Sequence, residues 1–425
     1  MTSAAHAADF KPRSDLVRTL VERGHVYQAT DLAGLDAAAL KGPICAYIGF
    51  DATAPSLHVG SLVQIMTLRR LQQSGHKPIV LMGGGTTKVG DPSDKANQRP
   101  LLSDAEIEVN IAGIKRAFTP FLTFGDGPTG AVMTNNAEWL EKLGYVEFLR
   151  EFGVQFTINK MLTLEFVRTR LDNEQPLTVL EFNYMLMQAV DFLELHRRYG
   201  CTLQFGGSEQ WGNIVNGIDL VRRLAAAEAF GVTAPLVTTA SGVKMGKTVE
   251  GAVWLNAEMR SPYDYWQFWR NTEDADVGRF LKLFTDLPLD EVARLSALKG
   301  AEINEAKKVL ANEATALLHG QAAAEAAAGA SRAAFEEGRT SEDLPTIDVA
   351  KAALDAGLHL AAIAADAGLV ASRSEARRLA QGGGLRVNDA VEKDGQRVLT
   401  AADLNAEGVI KLAAGRKKIV LVRPI

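Results

Sequence analysis

Between residues 44 and 83 the chain reads strand, helix, strand, and no other feature constrains its fold as much. Ile44–Phe50 is a short apolar run, the mark of a buried strand. Val59, Leu62, Val63 and Met66 then recur at i, i+3, i+4 and i+7, one face of a helix predicted over His58–Ser74. Gly75 ends it, and Pro78–Met82 is the next apolar run. Ala131–Thr134, Leu203–Phe205 and Leu236–Thr239 predict further short strands. Strands alternating with helices predict an α/β fold with a parallel sheet. In such sheets ligands sit beyond the carboxyl ends of the strands.

A chain of 425 residues is too long for one average domain, so two or three are expected. From about Pro262 the character turns helical, with Ile303–Leu318 and Gln321–Glu337 rich in strong helix formers. The polar stretch from Glu336 to Pro345 reads as a linker. The expected boundaries are 1–255, 256–337, a linker over 338–348, and a tail over 349–425. Gly357–Ile425 carries eleven Lys/Arg against seven Asp/Glu, in a chain whose net charge is −5. The tail, not the body, is therefore expected to meet a polyanion.

Cys45 and Cys201 match no metal spacing and are too few for a disulfide scaffold, so buried thiols in a reducing compartment are expected. Met1–Leu20 carries Asp9, Lys11, Arg13 and Asp15 and has no apolar segment, so no secretory signal is expected. No stretch nears the roughly 20 apolar residues of a membrane helix. A cytoplasmic protein with no membrane partner is the expectation.

Several constellations carry chemistry. Tyr47 to Ser61 places a loop between a strand end and a helix start at His58. A helix N-terminus attracts phosphate. His58 and Thr53 can donate to phosphate oxygens, and Gly60 leaves room for a ligand. Taken alone, the same residues fit an ordinary helix start with an incidental histidine. Gly83-Gly84-Gly85 followed by Gly90-Asp91-Pro92-Ser93, Lys95 and Arg99 permits close backbone approach and two cations on one face, or equally a loop with a solvated basic pair. Tyr184, Gln188 and Asp191 fall at i, i+4 and i+7 of one helix among apolar neighbours, facing either water or a polar pocket. Gln204 to Asn213 runs from a strand into Gly206-Gly207 and then Glu209 and Gln210, a ribose and substrate site or a plain βα turn. Lys244-Met245-Gly246-Lys247-Thr248 is a basic glycine loop, suited to mounting phosphate charge or simply solvated.

Jointly, and in this order, these segments resemble the class I aminoacyl-tRNA synthetases. The family's HIGH and KMSKS signatures correspond to His58-Val59-Gly60-Ser61 and Lys244-Met245-Gly246-Lys247-Thr248. Tyr47-x-Gly49-Phe50-Asp51, Gly90-Asp91-Pro92-Ser93, Tyr184 to Asp191, Gly206-Gly207-Ser208-x-Gln210-Trp211-Gly212-Asn213 and Ser261-Pro262-Tyr263 look like the bacterial tyrosyl-tRNA synthetase family. Leu369 to Leu379, with Arg373, Arg377 and Arg378, resembles an S4 RNA-binding module.

The resemblance implies a Rossmann-like catalytic domain with a connective insertion, a helical domain against the anticodon stem, and a small α+β S4 domain. It implies a homodimer that uses L-tyrosine, ATP and tyrosine tRNA. Tyr47 and Asp191 would hold the tyrosine hydroxyl. Tyr184, Gln188 and Asp91 would hold the ammonium, helped by Gln210, with Gln204 also in the pocket. ATP would lie against Gly49, Asp51, His58, Gly60, Ser61, Gly206, Glu209 and Lys247. Thr53 and His58 would contact the ATP phosphates, and Lys95, Arg99, Lys244, Lys247 and Thr248 would stabilise the departing pyrophosphate, these seven being the catalytic set. The sequence shows no protein metal site, and Mg2+ is expected to ride on the ATP phosphates. Ser61 stands where the second signature histidine is usual, Glu209 replaces the usual Asp, and Ala52 a common Pro. A tryptophan-specific relative and a non-catalytic RNA-binding paralogue stay open as other readings.

Overall fold

The computed structural model describes residues 2–3, 10–93, 102–248, 251–335, 344–415 and 418–425. Lys95 and Arg99 lie outside the described residues, and so do the side chains of Lys247 and Thr248. The chain divides into two compact units: Met1–Lys247 with Ala252–Asn256 and Glu273–Ala297, and Thr248–Gly251 with Ala257–Thr272 and Leu298–Ile425.

The first unit is built on a seven-stranded sheet. Its strands are β1 (Thr2–Ser3), β2 (Gln28–Ala29), β3 (Cys45–Asp51), β4 (Lys77–Gly83), β5 (Val132–Asn135), β6 (Leu203–Gly207) and β7 (Phe230–Ala234), in the order β1-β2-β7-β6-β3-β4-β5. From β7 to β5 all pairings are parallel, and β2 joins β7 antiparallel. The α/β fold with a parallel sheet is thus present. β4 and β6 are buried along nearly their whole length, as strands covered on both faces must be.

One strand differs from expectation. Leu236–Thr239 reads as a strand in sequence, but the strand is Phe230–Ala234. Its Gly231 disguises it: a Cβ there would meet Ile214 Cγ2 at 2.3 Å, so tight packing of the neighbouring helix selects a residue that strand propensity disfavours. Thr238 makes only an isolated bridge to Lys244.

The order leaves a break in the fold's logic at β3. From β3 the chain crosses through the Leu62–Gln73 helix to β4 on one side, while β6 pairs on the other. The β3–β4 ladder runs through seven residue pairs to Asp51 and Gly83, whereas β3 and β6 pair only at Ala46–Leu203 and Tyr47–Gln204. Beyond Tyr47 and Gln204 the two strands part, and a crevice opens at the switch point.

Helices of the first unit are tied together by charge. The Asp286 carboxylate meets Arg69 and the fully buried Arg70, while Arg23 donates to the Thr285 carbonyl at 3.1 Å and the Leu287 carbonyl at 2.8 Å. Hydrogen bonds from Arg69 and Arg70 and their nearby charges overcome burial and hold the Asp286 carboxyl at about 2.

In the second unit the helices Pro262–Arg270, Ile303–His319 and Gln321–Phe335 pack side by side. Trp266 Nε1 donates to Asn312 Oδ1 at 2.8 Å, and Gln267 Nε2 to Ser331 Oγ at 3.1 Å. The tail has its own core of Leu360, Ile363, Leu385, Leu412 and Val422 under a five-stranded sheet. Thr346–Val349 forms an edge strand of that sheet, parallel to Lys418–Pro424, so ordered pairing begins within the stretch read as linker. Among the described residues, no helix is long and apolar enough to cross a membrane.

Candidate active site

The crevice is a cleft of ≈360 Å³, floored by Tyr47 and Gln204. Its walls include Gly49, Asp51, Thr53, His58, Gly60, Ser61, Asp91, Tyr184, Gln188, Asp191, Gly206, Glu209, Gln210 and Lys244. The structure therefore brings together residues from segments spread across two hundred positions of sequence. Gly49 faces this space openly: a Cβ there would meet nothing nearer than Leu81, at 4.0 Å.

His58 does not begin an α-helix directly. It caps a single 3-10 turn, Val59–Ser61, before the Leu62–Gln73 helix. Its Nδ1 accepts from the Gly60 N–H at 3.0 Å, which places the proton of the neutral ring on Nε2 and makes that nitrogen a donor. Space read as room for a ligand at Gly60 is occupied by the protein: a Cβ would lie 2.8 Å from the Met245 carbonyl oxygen. Glycine thus lets the Lys244–Gly246 turn close on the start of the 3-10 turn, and Gly246 itself sits at φ +92°. The Val59 N–H donates to the Val253 carbonyl at 2.9 Å, fixing the same junction.

Gly83-Gly84-Gly85 also departs from expectation. These residues are buried, and Gly84–Thr87 forms a short helical turn. Added Cβ atoms would lie 2.4 Å from Asp51 Oδ1 at Gly83 and 2.4 Å from Asn135 Oδ1 at Gly84. The glycines admit the protein's own polar side chains against the backbone.

The Val179–Tyr199 helix turns Tyr184, Gln188 and Asp191 into the cleft, so the polar-pocket alternative holds over the solvent face. Asp191 is 2 % exposed. Asn136 Nδ2 donates to its Oδ2 at 2.9 Å and Trp139 Nε1 to its Oδ1 at 2.8 Å. Burial nonetheless pushes the carboxyl up to about 7, with Asn136 and Trp139 working against it and the charges of Asp51 and Glu194 adding to the rise. Tyr47 is buried against Phe192, ring centroids 5.3 Å apart, and its hydroxyl has no partner among the described residues. Burial, with Asp191 beside it, raises the Tyr47 phenol well above its ordinary value, so it stays a neutral donor and acceptor.

Asp51 accepts from Thr86 Oγ1 at 2.8 Å and from the Tyr184 hydroxyl at 3.1 Å. Gln210 Nε2 donates to Asp91 Oδ2 at 2.7 Å, and Gln210 Oε1 accepts from Gln188 Nε2 at 3.3 Å. Arg373, Arg377 and Arg378 belong to the second unit. They are exposed on the Arg373–Gln381 helix of the tail, whose Ala376 and Ala380 are buried.

Asn136, Trp139 and Thr86 were not among the residues singled out from sequence. A signal existed in the asparagine pair at the carboxyl end of β5, where a parallel sheet places ligands.

A buried acceptor thus lies beside a phenol with no partner among the described residues, at the switch point of a parallel sheet whose cleft also holds a histidine-capped turn. The family described as tRNA synthetases class I (W and Y) matches residues 39–336. The chain is 68 % identical to a tyrosine–tRNA ligase of Caulobacter vibrioides over 419 residues, covering 99 % of each chain. It is 60 % identical to that of Xanthobacter autotrophicus, covering 97 % of this chain and 99 % of the other. A C-terminally truncated mitochondrial tyrosyl-tRNA synthetase of Aspergillus nidulans superposes with a TM-score of 0.69 at 29 % identity, over 78 % of this chain and 97 % of that one. The chain belongs to the class I tRNA synthetases for tryptophan and tyrosine, and within them to the bacterial tyrosine–tRNA ligases.

Proposed function

We propose that the cleft activates L-tyrosine with ATP, releasing pyrophosphate, and that the tyrosyl group then passes to the 3′ end of tyrosine tRNA. The single observation that carries this reading is the tip of the pocket. Asp191 and the unpaired Tyr47 hydroxyl are buried polar groups that a phenol satisfies and a phenylalanine ring leaves unpaired. A site built to pair a substrate hydroxyl rejects the analogue lacking it by roughly 10⁴–10⁵, tyrosyl-tRNA synthetases being the standing example. Tyr184, Gln188, Asp91 and Gln210 take the ammonium end, and Gln204 closes the floor.

In the first step the tyrosine carboxylate, ionised at neutral pH, attacks the α-phosphorus of ATP. No general base is needed, and catalysis comes from alignment and from cations around the phosphates. Thr53 and His58 serve the phosphates from the cleft wall, together with Ser61 and the Lys244 turn. Lys95, Arg99, Lys247 and Thr248 complete that set on the strength of their motif positions. Gly49, Asp51, Gly206 and Glu209 receive the nucleoside. Mg2+ enters with ATP as part of the substrate. In the second step a terminal ribose hydroxyl of the tRNA attacks the activated carbonyl and AMP leaves.

The helices around Ile303–His319 and the tail bind the tRNA body, with Arg373, Arg377 and Arg378 on phosphates. The working form is a homodimer. Tyr145, Val146, Val154, Ile158, Leu171 and Val179 are all more than half exposed and fall within 35 residues of sequence, a density of apolar surface that supports burial against a second copy. The reaction belongs to the cytoplasm. Tyrosine-dependent charging of tRNA by the purified protein tests the reading: incorporation of tyrosine alone is expected, and incorporation of tryptophan instead overturns the substrate assignment.

A further inference from the structure

Asn213 lies behind the cleft, 2 % exposed, on the Trp211–Ala225 helix. Its Nδ2 donates to Gln188 Oε1 at 3.0 Å, to Gln210 Oε1 at 3.2 Å and to Ser93 Oγ at 3.3 Å. The Ser93 N–H donates to Asp91 Oδ1 at 2.9 Å. Gln210 Nε2 donates to the other oxygen of the same carboxylate, and Gln188 Nε2 to Gln210 Oε1. The bonds therefore close a ring: Asn213 to Ser93 to Asp91, and Asn213 through Gln188 and Gln210 back to Asp91.

Direction matters in this ring. All three groups facing Asn213 Nδ2 are oxygens, so its two hydrogens set the orientation of both glutamine amides. Gln210 Oε1 accepts from both Gln188 Nε2 and Asn213 Nδ2 and is filled, while Gln188 Oε1 accepts from Asn213 alone, is held in place and keeps a second lone pair. The Gln188 carbonyl oxygen and the Asp91 carboxylate both belong to residues that line the cleft and both keep acceptor capacity, which suits a primary ammonium. Asn213 Oδ1 is buried with no partner among the described residues. Leaving such an acceptor unmet costs about 1–3 kcal/mol, so an asparagine here is a poor choice for stability alone.

We infer that Asn213 is a positioning residue for amino-group recognition: it orients Gln188 and Gln210 so that the site selects the α-ammonium of its amino-acid substrate. The inference rests on placing the ammonium at Asp91 and Gln188. Asn213→Asp replaces the donor by acceptors and drives the Gln188 amide to turn over, presenting its nitrogen to the ammonium. Asn213→Ala removes the donor only.

The test compares two ligands on each variant by calorimetry: tyrosine, and 3-(4-hydroxyphenyl)propionate, which lacks the amino group. Asn213→Asp is expected to weaken tyrosine about tenfold to a hundredfold, the worth of a charge-assisted hydrogen bond, and to shift the deaminated acid less than about threefold. Asn213→Ala is expected to show the same selectivity in smaller measure. Reading the ratio of the two affinities within one protein sample removes any loss of folded fraction, and Ser93→Ala supplies a milder cut of the ring should Asn213→Asp not fold. Equal losses for both ligands, or no loss for tyrosine, overturn the positioning role. A wild-type protein that binds neither ligand contradicts the proposed substrate instead.

Discussion

Trp139 Nε1 donates to Asp191 Oδ1 at 2.8 Å, so an indole fixes the carboxylate at the blind end of the cleft. Asn136 holds the other oxygen at 2.9 Å. Between them they aim a buried charge at the place where a substrate hydroxyl would lie. Trp139→Phe keeps the ring bulk and removes the donor. The Asp191 carboxyl should rise further, and tyrosine affinity should fall about tenfold, the loss of one hydrogen bond to a charged group. Tyrosine and ATP titrations check this, with ATP affinity unchanged.

Asp191 itself gives a stronger test. Asp191→Ala should reduce tyrosine activation by several orders of magnitude, roughly 10⁴-fold, because the phenol loses its buried partner. Unchanged kinetics would remove Asp191 from the pocket.

The carboxyl at about 7 also predicts a pH dependence. Its ionised form accepts the phenol O–H, so tyrosine affinity should weaken as pH falls through about 7 and should be flat in Asp191→Asn. The effect on stability has the opposite sense. The folded state keeps a proton that the unfolded chain has lost, so this group costs stability as pH rises from about 4 toward 7. A tyrosine binding profile that is level from pH 5.5 to 8.5 contradicts the assignment.

The site's helical triad was legible because Tyr184, Gln188 and Asp191 obey a period that a single helix imposes. The junction at His58 was legible because a strand end and an apolar stripe bracket it. Asn136 and Trp139 were not, since their contact with Asp191 depends on β5 lying at the far side of β4, and sheet order is not written in local periodicity. Gly83 and Gly60 were legible as glycines but not in purpose: the atoms they admit, Asp51 Oδ1 and the Met245 carbonyl, arrive from other segments. β7 was displaced for a like reason, its Gly231 being selected by the packing of Ile214.

The tail predicts a separation of the two steps. Replacing Arg373, Arg377 and Arg378 with serine should leave tyrosine activation unchanged, raise the KM for tRNA, and flatten its dependence on salt, since fewer counterions are released. Activation and charging assays on the same preparation check it.

The exposed apolar run between Tyr145 and Val179 predicts the oligomeric state. A Val154→Asp, Ile158→Asp double variant should sediment as a monomer where the parent sediments as a dimer. A parent that is monomeric at micromolar concentration contradicts the proposed assembly.

The most direct test of the central claim is ATP–pyrophosphate exchange measured with each of the twenty amino acids in the presence of magnesium. Exchange with tyrosine alone is the predicted result. Exchange supported by tryptophan, or by no amino acid in folded protein, would contradict the account.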